Sequence, residues 1–407
     1  MSFALFRSAR AGLLALVVAG LSACGGGADD AGGDTPAARR VPAAGAAAVA
    51  ATVGPGELKS ATRLNTVPLA DLAAVLDSVP TLGQRARYPV TTYRLTYLTR
   101  DGEGREVTAS ALAAVPVKPA GRASPVMSWQ HGTLFEDRRV PSNNPTVSEP
   151  AVLLASLGYI VVAADYVGYG VSKGVPHPYL MSAPTASAVV DLLTAARYWR
   201  QTRGVVDNGQ LFMAGYSEGG YATMAALRAM EASGSPHLAN LVGIAPGAGP
   251  YSVTATMDAM LALVRERNHF LRLVAWPGVL KNLSTSTRTL LRDLMLQEAI
   301  PPEADVTLTS SFIDLYLADD AAALDALSNV HDWKPTYPVL LHHGRDDRTV
   351  AYGVATRTLA AQQLRGSSSV SLTACVPEPG VPAGHLECVL PYFTFMLSAA
   401  AGAARDL

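Results

Sequence analysis

The stretch from Leu211 to Leu227 narrows the folds open to this chain more than any other. Leu211-Phe212-Met213-Ala214 is a short apolar run of strand character. Gly215-Tyr216-Ser217-Glu218-Gly219-Gly220 follows at once, and Tyr221 to Leu227 continues as small and apolar residues of helical character. A serine between glycines, where a buried strand becomes a helix, fits the pattern G-x-S-x-G. The glycines answer a steric need, because side chains at the flanking positions of so sharp a turn would meet neighbouring backbone. The turn lifts a hydroxyl to the N-terminus of a helix, whose dipole favours negative charge. Ser217 is therefore the candidate nucleophile, against the alternative of a structural Gly-rich turn. A second match, Gly170-Val171-Ser172-Lys173-Gly174, is followed by Val175-Pro176-His177-Pro178. Two prolines one residue apart cannot open the required helix, so Ser172 is set aside.

The rest of the chain repeats the strand-to-helix rhythm. Thr91 to Thr99 and Arg105 to Val117 alternate as strands across Asp101-Gly102, which favours a hairpin. Strands are then expected at Pro125 to Gln130, Gly158 to Ala164, Leu211 to Gly215, Leu241 to Ala245, Pro338 to His342 and Ser369 to Thr373. Helices are expected at Pro184 to Arg203, Glu218 to Ser233, Ala351 to Arg365 and Leu386 to Ala401. This predicts an α/β fold: a mostly parallel sheet, antiparallel at its start, with helices on both faces. Residues 249–330 interrupt the rhythm with amphipathic helices, such as Thr254 to Asn268 and Ser286 to Glu298. They read as a cap inserted at the carboxyl edge of the sheet. The core is thus expected over 57–248 and 331–407.

The N-terminus reads as an address. Arg7 and Arg10 precede a short apolar run, Ala11 to Leu21, too short to span a bilayer as a mature helix. Leu21-Ser22-Ala23-Cys24 then resembles the lipobox of bacterial lipoproteins, against the alternative of an ordinary cleaved signal peptide. On that reading 1–23 is a signal peptide, Cys24 carries lipid, and Gly25 directs the protein to an outer membrane. Several acyl chains, at ~0.8 kcal/mol per buried CH₂, anchor stably. Residues 24–56 are rich in Ala, Gly and Pro and serve as a flexible tether. Two further cysteines remain, Cys375 and Cys388. In an oxidising compartment they are expected to form a disulfide, the alternative being two buried thiols. A net charge of -1 and scattered aromatics give nucleic acid nothing to bind.

Several segments together resemble the α/β-hydrolase superfamily, and more narrowly the secretory lipases, a group that includes yeast lipase A-type enzymes and bacterial relatives. They are Trp129-Gln130-His131-Gly132-Thr133, Ala164-Asp165-Tyr166-Val167-Gly168-Tyr169-Gly170, His177-Pro178-Tyr179-Leu180, Gly215 to Gly220 and Gly344 to Val350. The likeness covers about residues 60 to 400. It implies a catalytic acid after the serine and a histidine last. The segment His343-Gly344-Arg345-Asp346-Asp347-Arg348-Thr349-Val350 matches the H-G-x-x-D-x-x-V pattern and selects Asp347, with Asp346 one residue off it. His385 is the one histidine beyond that acid. Its flanking cysteines would close a loop worth roughly 3 kcal/mol by the chain-entropy model. They either steady His385 or merely staple the C-terminal loop.

The resemblance implies an oxyanion hole from the amides of Glu218 and Thr133, with Gly132 the next choice. It implies acyl-ester hydrolysis; the mechanism expected of these residues needs no metal or organic cofactor, and the protein is expected to be a monomer. Asp165 would support the oxyanion loop, while His131, His342 and His343 would be structural. Glu218 stands where many relatives have Gly or Gln. Two other functions remain to be weighed: a peptidase or amidase on the same residues, and a non-catalytic surface-anchored binding protein.

Overall fold

A computed structural model describes residues 51–407. The expected signal peptide, Cys24 and most of the tether lie outside the described residues. The sheet begins antiparallel: β1 (Leu58–Val67) pairs with β2 (Val90–Arg100), and β2 with β3 (Glu106–Pro116). Asp101 closes the β2–β3 turn, its Oδ1 accepting from the amides of Glu103 and Arg105 at 2.9 Å, as a short acidic side chain does in a tight turn. β1 is largely polar and partly exposed, and helix α1 (Leu69–Asp77) follows it. Periodicity reveals neither.

The chain then alternates through β4 (Ser124–Gln130), α2 (Pro150–Ser156), β5 (Ile160–Ala164), α3 (Ser182–Arg203), β6 (Asp207–Tyr216), α4 (Glu218–Ser233) and β7 (Leu241–Gly247). Five α-helices intervene: α5 (Val253–Arg267), α6 (His269–Val274), α7 (Thr285–Ala299), α8 (Ser311–Leu317) and α9 (Ala321–Ser328). β8 (Val339–His343), α10 (Tyr352–Leu364), β9 (Val370–Ala374) and α11 (Val389–Ala401) complete the chain. The helix expected from Leu386 starts three residues later, because the preceding residues form the loop that carries His385.

Strand order is β1-β2-β3-β5-β4-β6-β7-β8-β9. β4 to β9 run parallel to one another, while β3 meets β5 antiparallel. The connection after β4 leads outward to β5, and the connection after β5 returns across the sheet to β6. The direction of winding therefore reverses at β4, which opens a crevice at its carboxyl end. Gln130 pairs with Gly215 there, so the loop after β4 and the turn after β6 emerge side by side.

Both faces of the sheet are covered. Met127 and Trp129 of β4, Val161 of β5 and Phe212 of β6 point into one core, with Leu154 of α2 and Tyr392 of α11. Val126, Val162 and Met213 point into the other, with Leu192 of α3 and Met224 of α4. Burial on both sides is why these strands read as continuous apolar runs.

Candidate active site

The turn at Ser217 is built by close approach of backbone. A Cβ on Gly215 would lie 2.3 Å from the carbonyl oxygen of Gly219. One on Gly219 would lie 2.0 Å from that of Gln130, and one on Gly220 2.5 Å from that of Gly247. No side chain fits at any of the three. Ser217 itself has φ 60° and ψ -124°, a backbone state that costs a non-glycine residue of order 1–3 kcal/mol. It is held there by its amide, which donates to Gly247 O at 2.9 Å, and by α4 starting at the next residue. Ser172, by contrast, lies in a 3₁₀ turn. Its buried hydroxyl donates to Tyr169 O and accepts from the Gly168 amide, which is a structural task.

His385 Nε2 lies 2.9 Å from Ser217 Oγ, and His385 Nδ1 lies 2.6 Å from Asp347 Oδ2. Asp347 is buried. Its Oδ1 accepts from the amides of Thr349 and Val350 at 2.8 and 2.9 Å. Its Oδ2 also faces His343 Nε2 at 3.2 Å. Burial alone would push this carboxyl up, but the hydrogen bonds from His343 and His385 outweigh it and hold the group well below the usual carboxylate range. An ionised carboxylate only accepts, so the proton of His385 sits on Nδ1 and Nε2 is free to take one from Ser217. The three side chains come from the ends of β6 and β8 and the loop after β9, which the strand order brings to one edge of the sheet.

Four residues hold this geometry that pattern matching did not assign. The Tyr216 hydroxyl donates to His385 O at 2.7 Å. Asp346, the alternative acid, does not face His385. Its amide and carboxylate instead hold Ala383 O and N at 3.0 and 2.8 Å, clamping the histidine loop. His343, expected to be structural, shares its Nε2–H between Val350 O at 2.7 Å and Asp347. The fourth is His177, whose Nε2 lies 2.6 Å from Glu218 Oε1. Nothing in the sequence signals these pairings, because each joins residues from separate loops or a position hidden inside a motif. Cys375 and Cys388 are joined in a disulfide, and the Cys375 amide donates to His343 O. The loop bearing His385 is thus closed by the disulfide and tied to the segment bearing Asp347 through Cys375 and Ala383.

The loop after β4 meets the nucleophile as its register requires. A Cβ on Gly132 would be 3.5 Å from Ser217 Cβ, and the half-buried Thr133 follows, its hydroxyl 3.2 Å from that of Tyr179. The amide of Glu218 is among the first of α4, where no helical acceptor lies four residues back. His131 is structural, as expected: Nδ1 lies 2.7 Å from Gly132 O and its ring lies 4.3 Å from that of Tyr166. The Asp165 carboxylate binds Ser110 and Ser142. Its main-chain oxygen is what touches His131, at 3.3 Å. His342 stacks on Phe395. Among the described residues, no group of three or more His, Cys, Asp or Glu converges as metal ligands would. The five-helix insertion reaches the surroundings of the site at several points. Leu308 bridges to His177, and Arg348, beside the acid, lies 3.4 Å from Glu266 of α5.

The family model described as serine aminopeptidase, S33, matches residues 146–372. Among solved structures, a Legionella pneumophila protein assigned as a hydrolase is 26% identical, with a TM-score of 0.66 over 86% of this chain and 99% of its own. A ligand-bound form of the rice cell wall degrading esterase LipA from Xanthomonas oryzae is 25% identical, with a TM-score of 0.64 over 87% and 100%. Candida antarctica lipase A in its closed state, at 17% identity and a TM-score of 0.54 over 87% and 84%, shares the fold. No curated protein matches the sequence.

Proposed function

Because the chain belongs to the serine aminopeptidase, S33, family of α/β-hydrolases, we propose that it is a serine hydrolase that cleaves carboxylic esters through an acyl-enzyme. The observation that carries this reading is the unbroken relay from Asp347 through His385 to Ser217, at 2.6 and 2.9 Å. His385 Nε2 takes the Ser217 proton as Oγ attacks the ester carbonyl. The amides of Glu218 and Thr133 receive the oxyanion, and removing one such donor typically costs ~10²–10³ in turnover. Asp347 stabilises the imidazolium, which then protonates the departing alcohol. Water repeats the cycle on the acyl-enzyme and frees the acid.

The likeness to an esterase at 25% identity over almost the whole of both chains favours an ester. The family description raises amide cleavage as the second reading. Paired p-nitrophenyl ester and p-nitroanilide substrates of the same acyl group separate the two. The ester is expected to turn over faster by orders of magnitude, and a preference for the anilide would reverse the assignment. Ser217→Ala should abolish turnover and fluorophosphonate labelling while leaving the thermal unfolding midpoint nearly unchanged. Retained turnover would refute Ser217 as nucleophile.

We also propose export and lipid anchoring at Cys24, on the strength of the N-terminal pattern. Cys24→Ala should move the protein from the detergent-soluble membrane fraction to the aqueous one. An unchanged distribution would discard the anchor.

A further inference from the structure

Glu218 directly follows the proposed nucleophile, and its amide is offered to the oxyanion. A carboxylate on that same residue opposes the amide. A negative charge on a residue adjoining a forming oxyanion, at an effective dielectric of about 20, slows its formation by about two orders of magnitude. Glu218 is nevertheless only 2% exposed, with its Oε1 2.6 Å from Nε2 of His177, itself 1% exposed. Its Oε2 is buried with no hydrogen-bond partner among the described residues, so His177 is the one described group that satisfies the carboxylate.

The hydrogen bonds fix the proton count. His177 Nδ1 lies 2.8 Å from Val167 O. A carbonyl only accepts, so Nδ1 carries hydrogen. The contact between Nε2 and Oε1 must then contain one proton, or two lone pairs would face each other at 2.6 Å. The pair is either imidazolium with carboxylate or imidazole with carboxyl, and both have zero net charge.

Among the described residues, the surroundings supply no other neutralising charge. Burial pushes the hydroxyls of Tyr166, Tyr169, Tyr179 and Tyr221 far up, and it lowers His131, so all five are neutral. Asp165 lies behind His131 with its carboxyl raised by burial. Lys173 is engaged by Asp305 and Asp137, and His385 by Asp347. His177 is in turn pinned to the insertion, its amide donating to Thr307 O at 2.7 Å and its carbonyl accepting from Thr309 N at 2.9 Å.

We propose that His177 is a positioning residue of the reaction, which neutralises the Glu218 carboxylate so that the Glu218 amide meets the oxyanion without an opposing charge. This rests on the esterase reading above. It explains how a carboxylate is tolerated beside the nucleophile and why the insertion must hold His177 in place.

The test is the rate of fluorophosphonate labelling of Ser217 in the full chain, as a ratio of variant to wild type across pH. In H177Q the stranded Glu218 is neutral only while protonated. The ratio should therefore lie within a few-fold of one at low pH and fall about 100-fold as pH rises. Adding E218Q to H177Q removes the charge and should flatten the ratio again. A ratio for H177Q that does not change with pH, whether near one or uniformly low, overturns the proposal, since a purely structural loss has no such slope. Should H177Q fail to fold, E218Q with His177 intact decides. A flat ratio supports a neutral pair, and a sloping one shows a net charge and overturns it. Wild-type protein left unlabelled at every pH defeats the esterase reading and this proposal together, whereas labelling with a flat H177Q ratio defeats the proposal alone.

Discussion

At the scale of single residues, the site depends on hydrogen bonds that leave each atom one available role. Asp347 accepts from two amides and faces two imidazoles, so its carboxylate has no reason to take a proton and cannot turn from His385. Asp347→Asn should lower kcat by roughly 10³–10⁴ with little change in KM, because an amide no longer enforces the Nδ1 tautomer. A loss confined to KM would contradict this role. The same carboxylate links stability to pH. Its folded pKa is depressed, so its contribution is present above the unfolded value of about 4 and drains away as pH falls below it. The gap in unfolding midpoint between wild type and Asp347→Asn should therefore narrow from about pH 5 to pH 3. A gap that widens with acid would show that the carboxylate is not held ionised. Ser217 and His385 were legible in sequence because a motif and a chain order point to them. Tyr216 and His177 were not, since a hydrogen bond between distant loops leaves no periodic or local mark, and His343 was not because the motif that contains it, four residues before Asp347, assigns it no partner.

At the scale of elements, the strands and helices flanking the site follow from the order of residues. β6 and α4 appear where an apolar run meets a Gly-rich turn and then small residues, and α4 spans Glu218–Ser233 as expected. α2 is different, a seven-residue helix too short for periodicity to reveal. It is capped by Glu149, whose carboxylate accepts from the Ala151 amide at 3.2 Å. Glu149 is buried. Burial, with a smaller contribution from Asp165, raises its carboxyl to about 8. The sign is opposite to that of Asp347: stability is full below the unfolded value of about 4.3 and is lost as pH rises through about 8. Glu149→Gln keeps an oxygen for the cap and removes the titration. Its unfolding midpoint should match wild type near pH 4.5 and exceed it near pH 8.5. Equal midpoints at both would mean that water reaches the carboxylate.

At the scale of the whole molecule, β6, β8 and the segment after β9 deliver three side chains from positions 130 and 38 residues apart in sequence to one crevice. The disulfide between Cys375 and Cys388, 13 residues apart, encloses the last of them. Replacing both cysteines with serine should lower the unfolding midpoint by several degrees, from about 3 kcal/mol of loop entropy. It should also lower kcat, because the loop carries His385. A midpoint that falls with kcat intact would reduce the bond to a staple.

The chain's own order of residues determines the parallel sheet, the turn at Ser217 and the sequence of serine, acid and histidine. Each is written in local composition: glycines where no Cβ fits, apolar runs where both faces are buried, prolines that deny Ser172 a helix. Only the tertiary structure decides between Asp346 and Asp347, since two adjacent carboxylates differ only in what each faces across the crevice. It alone joins Glu218 to His177, 41 residues apart, and so shows how a buried carboxylate beside the nucleophile is satisfied. A buried charge is acceptable only with a partner, and that partner is found by the fold rather than by the neighbouring residues.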